Sequence, residues 1–265
     1  MSTTARHDAW SSGESYERYM GRWSRRVAER YLDWLGAPAD AAWLDLGCGT
    51  GALTQSILAR GKPRSIVAVD QSADFVAHAR AATSDEYVRM RFEVADAQKL
   101  PLPDASVDVA ASALVLNFVS DRVAALRELQ RVVRPGGVIS FYVWDYPGGG
   151  MGFMRAFWNA AIALDPKAED ERRRFPFCTP EGLSALCTEA GLPPVTVVPI
   201  EIETRFGSFE DYWLPFTLGA GPAPGYCVSL PEGKRAALKQ RLMEDVGGDG
   251  PVSFTARAWA VKTIR

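Results

Sequence analysis

Three glycines stand at alternate positions, Gly47, Gly49 and Gly51, directly after the apolar run AWLDL and directly before ALTQSILAR. Glycine weakens a strand and is worse in a helix, so the spacing points to a sharp turn whose backbone must stay bare. A helix starting just beyond would aim unbonded N–H groups and a partial positive charge at that turn. The loop Gly47-Cys48-Gly49-Thr50-Gly51 therefore suits an adenosine-type ligand or an anionic group. Its G-x-G-x-G spacing differs from the G-x-G-x-x-G of dinucleotide folds, where a pyrophosphate rests on the helix terminus.

Carboxylates recur at intervals that fit the same place. Asp45 sits inside an apolar run, where an unpaired charge is costly, so it is expected to bond loop N–H groups or a ligand amine. Asp70 ends the run SIVAVD, and a carboxylate at such a tip accepts hydrogen bonds from both hydroxyls of a ribose. Asp96 ends MRFEVAD and is followed by Ala97. An acid beside a backbone N–H matches an adenine edge, accepting from the amino group while the N–H donates to a ring nitrogen.

These residues need strands and helices to bring them together. Strand candidates fall at 42–47, 65–70, 90–96, 107–114 and 138–146, separated by helical patterns. Ser72 offers a cap to the second helix, and Ser120 or Asp121 to the helix that runs up to Pro135-Gly136-Gly137. Strands alternating with helices argue for a parallel sheet wrapped on both sides by right-handed crossovers. Ligands bind such sheets at the C-terminal strand ends, where the strand order reverses. A helix with Val27, Tyr31 and Leu35 on one face precedes this unit. Beyond it, GGGMG suggests a hinge into a helix, Thr179 caps another over 179–192, and VTVVPIEIE reads as an edge strand bulged at Pro199. Two more helices and a closing strand of alternating pattern complete the chain.

Composition bounds the function. The 265 residues are 47% hydrophobic and 23% charged, enough for a full core. A net charge of −2 offers no basic field to a nucleic acid, so neither a nucleic-acid nor a membrane partner is expected. The arginine runs at 22–30 and 172–174 read as solvated helix faces. Cys48, Cys178, Cys187 and Cys227 form no CxxC pair and only two histidines exist, so no metal site is expected. Reduced thiols, no hydrophobic leader and no long apolar run point to a cytoplasmic protein.

The stretches LDLGCGTG, VAVDQS, VADAQKLPLPDASVDV, LVLNFVSD and RVVRPGG together resemble the class I S-adenosylmethionine-dependent methyltransferases across residues 42–145. YERYMGRWS resembles the cap helix of members that act on small molecules. The resemblance implies an α/β, Rossmann-like, doubly wound seven-stranded sheet of order 3-2-1-4-5-7-6, with N-terminal cap helices and a helical lid insertion. It implies a cap over 1–41, a core of 42–146 and 179–206 plus 251–265, and lid segments at 147–178 and 207–250. It places the methionyl end of S-adenosylmethionine over Gly47 and Gly49, with Cys48, Thr50 and Gly51 completing the loop. Ribose falls on Asp70, adenine between Asp96 and Ala97, Gln71 beside the adenosine, and Ala113 and Leu114 along the sulfonium. Tyr16, Tyr19 and Arg22 would close over the cofactor carboxylate. Where many relatives carry a histidine this chain has Asn117, a poor proton acceptor.

The implied reaction is in-line methyl transfer to a small, apolar or planar acceptor, releasing S-adenosylhomocysteine. The leaving thioether needs no proton, so the protein's task is alignment and exclusion of water. A base is needed only for an acceptor that must lose a proton; Asp145, Tyr146 and Asn117 are the weak candidates. The aromatic stretch 146–250 reads as a packed subdomain or as an apolar lid over the acceptor. Two competing readings are a non-catalytic binder of the same cofactor and a nicotinamide-dependent oxidoreductase. Monomer and homodimer, and O-, N- or C-methylation, are left open.

Overall fold

Short runs of aliphatic residues, buried on both faces, build the centre of the sheet. In the computed structural model, residues 17–83, 88–168, 170–219 and 221–265 are described, Arg18 by its backbone only. The strands are β1 (Ala42–Leu46), β2 (Ser65–Asp70), β3 (Arg89–Val94), β4 (Val107–Ala113), β5 (Val133–Trp144), β6 (Thr196–Phe206) and β7 (Val252–Ile264). They form one sheet in the order β3-β2-β1-β4-β5-β7-β6, the order expected. The first five are parallel, and β7 runs antiparallel between β5 and β6. All five residues of β1 are buried, as a central parallel strand covered on both faces requires. The order reverses beside β1, which pairs with β2 on one side and β4 on the other, so the binding crevice opens there.

Helices on both faces follow their caps. They are α1 (Arg22–Leu35), α2 (Ala52–Arg60), α3 (Ala73–Ala82), α4 (Arg122–Val132), α5 (Gly152–Leu164), α6 (Pro180–Glu189), α7 (Phe209–Trp213), α8 (Pro222–Ser229) and α9 (Glu232–Asp245). Ser72, Asp121 and Thr179 each accept a hydrogen bond from a backbone N–H three residues on, so Asp121 rather than Ser120 caps α4. Val27, Tyr31 and Leu35 of α1 are buried, with the Tyr31 ring 4.6 Å from that of Tyr142 on β5. No helix among the described residues is long and apolar enough to cross a membrane.

The structure corrects several local expectations. β5 begins at Val133, not 138: Val107 pairs with Val133 and Val109 with Val138, so Pro135-Gly136-Gly137 forms a bulge rather than a helix stop. Gly136 has φ +77°, and its N–H donates to the Arg265 carbonyl at 2.8 Å. β6 carries no bulge at Pro199, because its register with β7 is unbroken from Thr196 to Phe206. An edge strand needs ladder donors on one side only, which tolerates the missing N–H. SFEDYWLPFTLG breaks at Pro215 into α7 and a 3-10 turn over Leu214–Leu218. α8 went unforeseen because its Pro and Gly conceal a helical run, although Pro222 sits in the first turn, where its missing donor costs nothing.

Aromatic residues between 146 and 250 pack inward. Phe157 stacks on Phe216 at 4.3 Å, and Tyr212 is fully buried with its hydroxyl donating to the Phe153 carbonyl. One apolar cluster joins these residues to the sheet and to α1.

Candidate active site

The glycine loop closes on β2. Gly47 N–H and Cys48 N–H both donate to the Val69 carbonyl, at 2.7 and 2.9 Å, and Gly51 N–H donates to the Cys48 carbonyl at 2.8 Å. Gly47, Gly49 and Gly51 have φ of +73°, +53° and +96°, which L side chains rarely adopt. The first two differ in what surrounds them. A Cβ on Gly47 would lie 2.5 Å from both Val115 methyls, whereas nothing stands within 4 Å of a Cβ on Gly49. The protein's own packing requires the first glycine; the second faces open space.

That space is a cleft lined by Gly47, Cys48, Gly49, Thr50, Asp70, Phe75, Ala113, Leu114 and Phe118, with Ser24 and Tyr142 among its further walls. Asp70 stands at the tip of β2. Its Oδ2 accepts from Gly49 N–H at 3.0 Å and its Oδ1 from Ser72 N–H at 2.9 Å. The carboxylate keeps lone-pair capacity for a ligand donor. Burial raises its carboxyl above the usual range, an effect opposed by the N–H groups of Ser72, Gly49 and Gln71. Leu114 has φ +60°, a strained conformation for a branched side chain, held by its N–H donating to the Tyr142 carbonyl at 2.8 Å. It also lines a second, smaller chamber with Met20, Phe118, Trp144, Tyr146, Met154 and Phe175. Leu114 and Phe118 thus form the wall between cleft and chamber.

Other expected residues are placed differently. Asp45 is fully buried and does not line the cleft; its Oδ2 accepts from the Thr54 hydroxyl at 2.6 Å, not from loop N–H groups. Burial, countered by the Thr54 bond and aided by the Asp70 charge, pushes its carboxyl up to about 7. Asp96 is exposed and lies outside the cleft lining with Ala97; Gln98 N–H and Nε2 hold its carboxylate at 2.9 and 3.0 Å. Those bonds hold Asp96 below its ordinary range, the backbone one most. Gln71 is exposed beside Asp70, and Gly51 is buried at the start of α2.

The N-terminal residues meet the cleft through an unexpected partner. Tyr16 lies outside the described residues. Tyr19 is buried, its ring 5.7 Å from that of Phe216 and 6.4 Å from that of Phe153. Arg22 bonds Asp211 at 3.2 Å, and its guanidinium lies over Trp23 and Phe206, which draws it toward α7 rather than the cleft. Glu17 instead reaches the glycine loop, accepting from the Thr50 hydroxyl and pairing with Arg25. Nothing in the sequence pattern marked Glu17.

Of the base candidates, Asp145 is held in structural bonds. Asp145 accepts from Gly148 N–H at 2.9 Å and faces Arg257 at 3.6 Å, closing the turn after β5. Asn117 is buried on the 3-10 turn Leu116–Phe118. Tyr146 lines the second chamber, its ring 4.8 Å from that of Phe175.

Residues 44–141 match the family profile described as a methyltransferase domain. Over 117 residues the chain is 38% identical to the malonyl-[acyl-carrier protein] O-methyltransferase of Serratia marcescens, covering 44% of each chain. It spans less than half the length of several of the curated relatives it matches. Its fold is that of the YcgJ protein of a Bacillus species (TM-score 0.56, 16% identity, 91% of this chain and 98% of that one). It is also that of phosphoethanolamine N-methyltransferase 2 from Haemonchus contortus, solved with S-adenosylhomocysteine (TM-score 0.56, 14% identity, 96% and 57%). Residues 44–141 thus match a methyltransferase domain, set in a sheet whose order is the one the resemblance implied.

Proposed function

We propose that the protein transfers the methyl group of S-adenosylmethionine to a small acceptor bound in the apolar chamber beside the cleft. One observation carries this reading: a cleft walled by bare loop backbone and Asp70 shares Leu114 and Phe118 with an aromatic and methionine-lined chamber. The open space before Gly49 fits a ligand pressed against the backbone, and Asp70 retains lone pairs for a ribose. Gly47, Cys48, Gly49 and Thr50 would hold the methionyl side, and Ala113 and Leu114 the end nearest the acceptor. The bound cofactor supplies a methyl on a sulfonium whose departure needs no proton. Leu114 fixes the boundary between the two sites, while Phe118, Trp144 and Phe175 keep water from the acceptor. We further propose that residues 1–41 cap the core and that 147–178 and 207–250 are insertions that enclose the acceptor.

The Serratia relative's name points to an acyl group carried on a protein. Its match covers less than half of this chain, and the apolar, aromatic lining of the chamber suits a free small molecule. Calorimetry with S-adenosylmethionine tests the cofactor assignment. Asp70→Asn should weaken binding about tenfold or more, the loss of one charge-assisted hydrogen bond. A folded Asp70→Asn protein with unchanged affinity refutes the ribose role. Release of S-adenosylhomocysteine with a panel of acceptors separates an enzyme from a non-catalytic binder.

A further inference from the structure

The arginines of RWSRRVAER look alike in the sequence, yet the fold gives them different partners. Arg22 bonds Asp211 at 3.2 Å and Arg26 donates to the Glu203 carbonyl at 3.0 Å, so both turn toward the closing half of the chain. Arg25 instead pairs with one carboxylate oxygen of Glu17, whose other oxygen accepts from the Thr50 hydroxyl of the glycine loop. A glycine makes this possible. A Cβ on Gly21 would run into the Glu17 carboxylate, so its absence lets the side chain fold back over its own turn. Thr50 lines the cleft, and so does Ser24, the neighbour of Arg25 on α1. An anion and a cation therefore stand side by side against the loop wall of the cleft.

We propose that Glu17 and Arg25 hold the amino-acid end of the cofactor, Glu17 accepting from its α-ammonium and Arg25 donating to its α-carboxylate. The inference rests on the reading of the cleft as the S-adenosylmethionine site, with the methionyl side on the glycine loop. That end carries both charges on one carbon, so it complements an adjacent anion and cation better than either alone. Capacity for it exists on both side chains. A carboxylate has lone pairs beyond those given to Thr50 and Arg25, and a guanidinium has N–H donors beyond the one given to Glu17. The pair is neutral and so is the zwitterion, so the site takes up no net charge. Both side chains are partly exposed, 21% for Glu17 and 43% for Arg25, so each can turn to a ligand without leaving the other desolvated and alone. A ligand with only one of the two charges satisfies only one of the two residues.

Calorimetry on the full chain at neutral pH tests this with ligands that share the adenosine and differ at the far end. They are S-adenosylhomocysteine, its decarboxylated analogue with the ammonium only, its deaminated analogue with the carboxylate only, and methylthioadenosine with neither. Wild type should bind S-adenosylhomocysteine about tenfold or more tighter than methylthioadenosine. Glu17→Gln, which still accepts from Thr50, should weaken S-adenosylhomocysteine and the ammonium-only ligand about fivefold or more. It should leave the carboxylate-only ligand unchanged or tighter. Arg25→Gln should do the reverse, weakening the carboxylate-bearing ligands and sparing the ammonium-only one. A merely structural role would weaken all the ligands together, because a displaced loop serves none of them. Uniform losses in the folded variants, or no losses, overturn the proposal. Equal wild-type affinity for S-adenosylhomocysteine and methylthioadenosine also overturns it while leaving the cofactor reading in place, and that comparison decides even if a variant fails to fold. Binding of neither would sink the cofactor reading, and this assignment with it.

Discussion

Gly47→Ala and Gly49→Ala form a matched pair that separates what the fold needs from what the ligand needs. Both positions have positive φ, so each alanine incurs about 1–2 kcal/mol of backbone strain. Each also gains about 0.4–1 kcal/mol from a less flexible unfolded chain. At Gly49 nothing else is touched, so the net loss of stability is about 1 kcal/mol or less. At Gly47 the new methyl would stand 2.5 Å from both Val115 methyls in a buried site. Overpacking of that kind adds about 1–3 kcal/mol, for a net loss of roughly 1–5 kcal/mol. With about 2–4 °C of midpoint per kcal/mol, thermal denaturation should show a drop on the order of 10 °C for Gly47→Ala and a few degrees for Gly49→Ala. Affinity for S-adenosylmethionine, measured below the lower midpoint, should order the other way relative to stability. Gly49→Ala should lose about tenfold or more, because its methyl occupies the space facing the ligand. Wild-type affinity in Gly49→Ala, or equal midpoint shifts in the two variants, would refute the reasoning.

Two further predictions test electrostatic assignments. Burial keeps the Asp45 carboxyl up at about 7 in the folded protein, above its unfolded value, so this group's contribution to stability is greatest at low pH and is lost as pH rises toward 7. Asp45→Asn, which still accepts from Thr54, should therefore gain on wild type between pH ~4 and ~8 by a few kcal/mol at most. Chemical denaturation across that range checks it, and a constant difference between the two proteins would count against the shifted carboxyl. Arg22→Gln should leave cofactor affinity within about threefold of wild type, because its partner is Asp211 and both side chains are more than a third exposed. A tenfold loss by calorimetry would return Arg22 to the cleft.

Local signals and their neighbours explain how much was readable in advance. Strands alternating with helices over 42–145 point to a parallel sheet, whereas its strand order and the antiparallel closing pair were implied by the family resemblance and match the observed order. Gly47, Gly49 and Asp70 stand out because strand-to-helix turns expose backbone and tip residues at fixed places. The place of Asp96 at a strand tip suggests the cleft, and the family resemblance implies it for Arg22. Their side chains answer to nearer partners, Gln98 two residues on and Asp211 at 189 residues' remove. Glu17 and Glu171 had no local signature at all. Each is a glutamate in a charged stretch, and only the packing of distant segments turns one onto Thr50 and the other into a chamber.

From the residue order alone one could read the parallel sheet and the loop that bares its backbone after the first strand, since these follow from periodicity and from glycine's lack of a side chain. Tertiary structure decided the rest: which glycine serves Val115 and which serves open space, which acids line the cleft, and that a carboxylate sits among methionines and aromatic rings beside it. The division is physical. Backbone conformation is set by neighbours in sequence, whereas the burial and partners of a long polar side chain are set by whichever segments the fold carries to it.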